Sequence, residues 1–244
     1  MTDILLVHGS WHGSWAWDGV AATLRKHGHR VLTPCLKGLG SDAVNLAPEI
    51  GLFEHVDQLA ALVHEEDLQN ALLVGHSYGG ALAHVLEGRI ADRLCAVVHL
   101  EGAIAAPGEA IIDMWPEARR QATLAQIAET GDGWRVTPPD PRTWGALNDE
   151  QVAWLTPKLT PQSIKTYRDI FPVDLKAAPC PHYYLYADDR VPQPYAAVIE
   201  RFSGAPDWQL AATEGGHELM ITNPDAVMRI IEVALESGTL PPKL

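Results

Sequence analysis

Val74-Gly75-His76-Ser77-Tyr78-Gly79-Gly80, set directly behind the apolar run Ala71-Leu72-Leu73-Val74, is the stretch whose reading decides the fold. A serine hydroxyl is a poor nucleophile unless a tight strand-to-helix turn holds it out toward a base and toward oxyanion donors. The glycines of G-x-S-x-G make such a turn sterically possible. The run before the serine has strand composition, and Ala81-Leu82-Ala83-His84-Val85-Leu86-Glu87 after it has helix composition, which is the setting the motif requires. The reading is covalent serine catalysis on an α/β scaffold.

Working outward, apolar runs recur at Ile4 to Val7, Arg30 to Thr33, Ala96 to Leu100, His182 to Tyr186 and Trp208 to Ala212. Between them lie helical segments at Trp17 to His27, Leu52 to Glu66, Gly79 to Arg89, Pro194 to Phe202 and Pro224 to Glu236, the last with Asn223 as N-cap and Pro224 at its first position. Strands alternating with helices imply right-handed crossovers and a mostly parallel sheet covered on both faces. The alternation stops between about residues 103 and 171, where Trp115, Trp134, Trp144 and Trp154 stand among several prolines. A structureless loop of that length is improbable, so a mostly helical insertion is expected, its tryptophans either shaping a pocket or gluing the insertion to the body. The tail Pro241-Pro242-Lys243-Leu244 is expected to fray.

The chain of 244 residues, 47% hydrophobic, is long enough for one large core, and residues 1–244 read as a single domain. Its net charge of -13, from 18 basic and 31 acidic residues, opposes binding to nucleic acid or anionic lipid and favours a small-molecule substrate. Cys35, Cys95 and Cys180 are widely spaced and read as buried free thiols in a reducing compartment; with no basic leader before Ile4, the cytoplasm is the expected location and a monomer or homodimer the expected state. No metal-ligand spacing is present in the sequence, and no cofactor is expected.

In a sheet of this kind the triad follows the chain order Ser, then Asp or Glu, then His. His217, in the glycine-rich Thr213-Glu214-Gly215-Gly216-His217-Glu218, is the expected base for Ser77. The acid is expected just after the strand Tyr183-Tyr184-Leu185-Tyr186, where Asp189 is favoured over Asp188 and Arg190 is expected to pair with whichever is left over. The oxyanion donors expected are the backbone amides of Tyr78 and of Ser10, in the loop His8-Gly9-Ser10-Trp11; Gly9 lets the backbone approach the substrate and Trp11 packs near it. His76 is expected to point into the body of the fold.

With these residues in place the chain resembles the α/β-hydrolase superfamily, and within it the small methylesterase and hydroxynitrile-lyase-like branch. The opening His8-Gly9-Ser10-Trp11-His12-Gly13-Ser14-Trp15-Ala16-Trp17 resembles the H-G-x-W-H-G-x-W-x-W of that branch, and Leu159-Thr160-Pro161-Gln162 is similar to the segment where bacterial relatives leave the cap. The resemblance implies a cofactor-free site under a cap, and a choice among small-ester hydrolysis, aryl methyl carbamate hydrolysis, cyanohydrin cleavage, ligand sensing with a retained triad and cofactor-free oxygenation. Hydroxynitrile lyases of the branch place a lysine after the catalytic histidine; this chain has Glu218, whose charge is expected to repel cyanide. Hydrolysis of a small, aromatic ester, with methyl carbamate close behind, is the leading expectation.

Overall fold

A computed structural model describes residues 1–244. In chain order it contains β1 (Asp3–Val7), α1 (Asp18–Lys26), β2 (Arg30–Leu32), α2 (Leu52–Glu65), β3 (Ala71–His76), α3 (Tyr78–Leu86) and β4 (Leu94–Leu100). There follow α4 (Glu117–Thr130), β5 (Arg135–Val136), α5 (Asp149–Leu155), β6 (Gln162–Ser163), α6 (Lys165–Arg168), β7 (His182–Ala187), α7 (Ala196–Phe202), β8 (Trp208–Thr213), α8 (Leu219–Thr222) and α9 (Pro224–Leu235). Six strands form one sheet in the order β2-β1-β3-β4-β7-β8, all pairs parallel. Every residue of β3 is buried, as a central parallel strand covered on both faces requires.

The two-residue alternation of the strands divides the core. Leu5, Val7, Leu73 and Val97 face one side, where Leu52, Val56, Leu59 and Val63 of α2 pack with α3. Ile4, Leu6, Leu72, Val74 and Val98 face the other, against Val20 and Leu24 of α1 and Val227, Ile230 and Ile231 of α9. Both helices show the apolar stripe at three- and four-residue spacing that such a face needs. Asn223 caps α9 by accepting from the Ala226 amide at 3.3 Å, with Pro224 at the first helical position.

Between β4 and β7 the chain builds α4, α5, α6 and a short antiparallel pair, β5 with β6. The aromatic residues of this stretch divide in two: Trp115, Trp144 and Tyr167 line the main cavity, while Trp154 meets Trp15 edge-on with ring centroids 5.5 Å apart. Pocket wall and glue are thus both present.

Two expectations give way. The tail does not fray: the Ala212 amide donates to the Pro242 carbonyl at 2.9 Å and the Leu244 amide to the Ala212 carbonyl at 2.8 Å, laying the tail along the outer edge of β8. Proline removes an N–H donor, but this pairing uses the Pro242 carbonyl and the Leu244 N–H, which both survive. Of the three thiols only Cys180 is buried, whereas Cys35 and Cys95 are half-buried; all three are free.

Candidate active site

Because all six strands run parallel, their carboxyl ends open on one rim, where crevices form in open α/β sheets. β1 delivers His8 to His12 there, β3 delivers Ser77, β4 delivers Glu101, and the turns after β7 and β8 deliver Asp189-Arg190 and His217. Ser77 sits at φ 54°, ψ -116°, a left-handed conformation that side chains rarely adopt and that costs about 1–3 kcal/mol. Its neighbours enforce it. The Ser77 amide donates to the Leu100 carbonyl at 2.9 Å and its carbonyl accepts from Ala103 at 2.9 Å. A Cβ on Gly75 would stand 2.2 Å from the Gly79 carbonyl oxygen, and one on Gly79 2.3 Å from that of Val7, so the turn closes only with glycine at both places.

Ser77 Oγ lies 2.9 Å from His217 Nε2, and His217 Nδ1 lies 3.2 Å from Glu101 Oε2. With the ring proton on Nδ1, His217 donates to the carboxylate and its Nε2 lone pair faces the serine proton, the arrangement of a general base. The carboxylate that faces this histidine is therefore Glu101 and not Asp189. Asp189 instead accepts from the amides of Gly215 and Gly216 at 3.0 and 3.1 Å, bracing the loop that carries His217. Arg190 likewise pairs with Glu101 rather than with the left-over Asp188, which takes Lys243 at 2.8 Å. Arg190 Nη1 also comes within 3.2 Å of His217 Nδ1. The remaining Glu101 oxygen accepts from the Ala187 amide at 2.8 Å, so this fully buried carboxylate has partners on both oxygens. Sequence reasoning passed over Glu101 by looking only behind the later strand. The available signal was a carboxylate directly after the run Ala96 to Leu100, at the rim where the nucleophile also stands.

The loop after β1 is held at each peptide. His8 Nδ1–H donates to the Gly9 carbonyl at 2.9 Å while its Nε2 accepts from the Leu36 amide at 3.1 Å. The first of these bonds fixes the Gly9–Ser10 peptide plane and hence the direction of the Ser10 N–H. The Trp11 amide is consumed by Gln162 Oε1 at 3.1 Å, which leaves Ser10 as the loop's candidate oxyanion donor. Tyr78 is the first residue of α3, where an amide has no acceptor within its own helix. Gly9 lies behind the serine: a Cβ there would meet His76 Nδ1 at 2.9 Å and Ser77 Cβ at 3.1 Å. It makes room for the nucleophile and is not part of the cavity wall.

In front of Ser77 opens a cavity of about 630 Å³ lined by Ser10, Trp11, Tyr78, Trp115, Trp144, Tyr167, Tyr195 and His217 among others. Trp11 is fixed by its indole N–H to the Val136 carbonyl at 3.2 Å and lies parallel to Trp144, their centroids 6.1 Å apart. Flat aromatic walls suit a flat ligand.

Behind the site His76, fully buried, donates its Nε2–H to the His217 carbonyl at 2.8 Å. Glu218 is also fully buried and faces His12, with 3.2 Å between carboxylate and Nε2; it is no part of the cavity wall. The expected repulsion of cyanide by Glu218 is thereby withdrawn, because its charge is matched by His12 and directed away from the ligand space. Ligand atoms of His76, His217 and Glu218 come within 4.8 Å of one another. Both ring nitrogens of His217 are engaged, however, so a cation there would take the base from the serine or from Glu101.

No helix is long and apolar enough to cross a membrane. The chain is 30% identical over 234 residues, 92% of its own length and 96% of the relative's, to a carbendazim hydrolyzing esterase of Nocardioides sp. (strain SG-4G). It is 27% identical over 126 residues to the putative methylesterase 11, chloroplastic, of Arabidopsis thaliana, a match covering 51% of the chain and 32% of that relative. Among solved structures, an extracellular alpha/beta-hydrolase from a Paenibacillus species superposes with a TM-score of 0.83 at 21% identity, covering 96% of this chain and 99% of the other. A methylesterase from Arabidopsis superposes with a TM-score of 0.76 at 18% identity, covering 97% and 100%. The sequence pattern of the alpha/beta hydrolase family matches residues 4–230, and the chain belongs to that family.

Proposed function

We propose that the protein is a serine hydrolase for small aromatic esters and aryl methyl carbamates. The observation that carries this reading is the hydrogen-bonded line from Ser77 through His217 to Glu101, with its serine end in an aromatic cavity. In the reaction Ser77 Oγ attacks the carbonyl carbon as its proton passes to His217 Nε2, and Glu101 stabilises the imidazolium. The amides of Ser10 and Tyr78 hold the oxyanion, each worth about 3 kcal/mol in the transition state. His217 returns the proton to the departing alcohol or phenol. Water, deprotonated by the same histidine, then releases the acid and restores the serine, so no cofactor is required. Residues 103–171 serve as a cap that supplies the aromatic wall.

An ester and a carbamate present the same carbonyl to the same donors. The esterase named for carbendazim, a benzimidazole methyl carbamate, supports the inclusion of carbamates for this chain. Steady-state turnover of an aryl acetate, an aromatic methyl ester and carbendazim tests the reading. Native protein should turn over at least one of them repeatedly, and Ser77→Ala should lose activity by on the order of 10⁵-fold. Activity that survives Ser77→Ala would point instead to cofactor-free oxygen chemistry. A single turnover with retained product would point to a receptor.

A further inference from the structure

His12 and Glu218 join the two loops that must be in register for acyl transfer. His12 is 2% exposed and Glu218 0% exposed, in the loop after β1 and directly behind His217 respectively. His12 Nδ1 stands 2.6 Å from the Ser10 carbonyl and Nε2 3.2 Å from the Glu218 carboxylate. The carbonyl can only accept, so Nδ1 carries a proton; at Nε2 the contact with Glu218 is electrostatic rather than an aligned hydrogen bond, and a buried carboxylate 3.2 Å away favours the second proton that makes the ring an imidazolium. Burial opposes that charge, but Glu218 and the Ser10 carbonyl outweigh it and raise the His12 pKa; on the other side, His12 and His76 hold Glu218 well below the usual carboxylate range despite its own burial. The ring is wedged between Trp15 and Trp144, at 5.1 and 5.6 Å between centroids, with His76 edge-on at 6.1 Å and the neutral His8 nearby.

A buried ion pair is a poor source of net stability, because removing two charges from water costs about what their attraction returns. Its value lies in geometry. We propose that the His12–Glu218 pair is an ionic strap that keeps the Ser10 oxyanion loop in register with His217, and that both are positioning residues for acyl transfer. The proposal rests on the hydrolase reading. One end of the strap fixes the Ser10–Trp11 peptide through its carbonyl, and the other fixes the residue after the base. Beside it the two loops are linked through the Ser77 turn between them, through His76 to the His217 carbonyl, and through Trp144, whose carbonyl accepts from the His217 amide at 2.9 Å while its ring lies parallel to that of Trp11; the strap is the ionic link among them.

Three variants, measured on an aryl acetate, separate positioning from folding. Glu218→Ala cuts the strap and should lower kcat about 100-fold with KM within about threefold, the signature of an interaction realised in the transition state. Glu218→Gln lets a neutral His12 keep Nδ1–H on Ser10 and accept the new amide at Nε2, and should recover kcat to within about fivefold of native. His12→Gln leaves a buried carboxylate without its cation and should be the worst of the three. Nitrogen-15 spectra of the native histidines, followed against pH, should show one buried ring that stays doubly protonated above the pH at which the exposed imidazoles lose their charge, and that signal should be missing in His12→Gln.

A neutral His12 in the native protein would overturn the proposal, as would a folded Glu218→Ala with kcat within threefold of native. If Glu218→Ala does not fold, Glu218→Gln and His12→Gln decide in its place: equal losses in both would overturn the strap. If the native chain hydrolyses no ester, the hydrolase reading fails separately. The spectra and the rate at which a fluorophosphonate labels Ser77 in each variant then judge the strap.

Discussion

Exchanging Glu101 for glutamine is expected to lower kcat on an aryl ester by on the order of 10⁴-fold, about 5 kcal/mol of barrier, while Asp189→Asn stays within about tenfold of native. The difference follows from who faces His217 Nδ1. Glu101 accepts from it at 3.2 Å, but Arg190 Nη1, a pure donor, waits at the same distance. With the carboxylate gone, Arg190 loses its partner and donates to Nδ1, and the ring proton moves to Nε2. The histidine would then present a proton to Ser77 instead of a lone pair. Asp189 touches only the Gly215 and Gly216 amides, so its loss loosens the loop without choosing the wrong tautomer. Side-by-side kcat values of the two variants, with thermal unfolding to show that both are folded, check this. A larger loss in Asp189→Asn would return the acid's role to that residue.

A cooperative loss of structure between about pH 6 and pH 4.5 is the second large effect expected. Four fully buried histidines are held neutral: burial lowers His8, His76 and His99 to about 3 and His55 to about 4. Their surroundings say the same. His8 accepts from the Leu36 amide and His55 Nδ1 faces the Tyr78 hydroxyl at 2.9 Å, while neither nitrogen of His99 has a partner. Unfolded, each takes up a proton near pH 6.5, so below that pH the unfolded chain binds more protons and the fold loses about 1.4 kcal/mol per pH unit per histidine. The loss continues until the folded values of about 3 to 4 are reached. Four such groups amount to on the order of 5 kcal/mol per pH unit, against a typical total stability of about 5–15 kcal/mol.

His12 works in the opposite sense. Its raised pKa adds stability that is fully present below about pH 6.5 and is lost as the pH rises through the folded value. Glu218 and Glu87 have lowered pKa values, so their contributions are present above about pH 4.5 and fade only below it. Tryptophan fluorescence and circular dichroism from pH 8 to pH 3.5 read the transition. A native spectrum at pH 4 with an unfolding temperature within a few degrees of that at pH 7 would defeat the expectation. His99→Leu, which removes one of the four protons, should shift the midpoint to lower pH.

The meeting of Ser77 with His217 was legible in the sequence because their loops need unusual backbone: Gly75 and Gly79 at a crowded turn, Gly215 and Gly216 at positive φ before the histidine. The six main strands were legible because buried parallel strands are written as short apolar runs. Glu101 was hidden because a carboxylate after one strand is written like a carboxylate after another. Only the lateral order of β4, β7 and β8 decides which reaches the histidine, and that order is a tertiary property. The His12–Glu218 pair was hidden for the same reason, since 206 residues separate its members in the chain while 3.2 Å separates them in space.

The tail on β8 bears on how this protein meets other copies of itself. Bare strand edges are templates on which foreign strands add, the first step of sheet-driven aggregation. At Ala212 that template is already occupied by Pro242 and Leu244. The opposite rim is β2, three residues long and carrying the exposed Arg30. Neither margin offers a long, flat, uncharged strand: continuing the sheet is interrupted at Ala212 on one flank by the chain's own tail and discouraged on the other by brevity and charge.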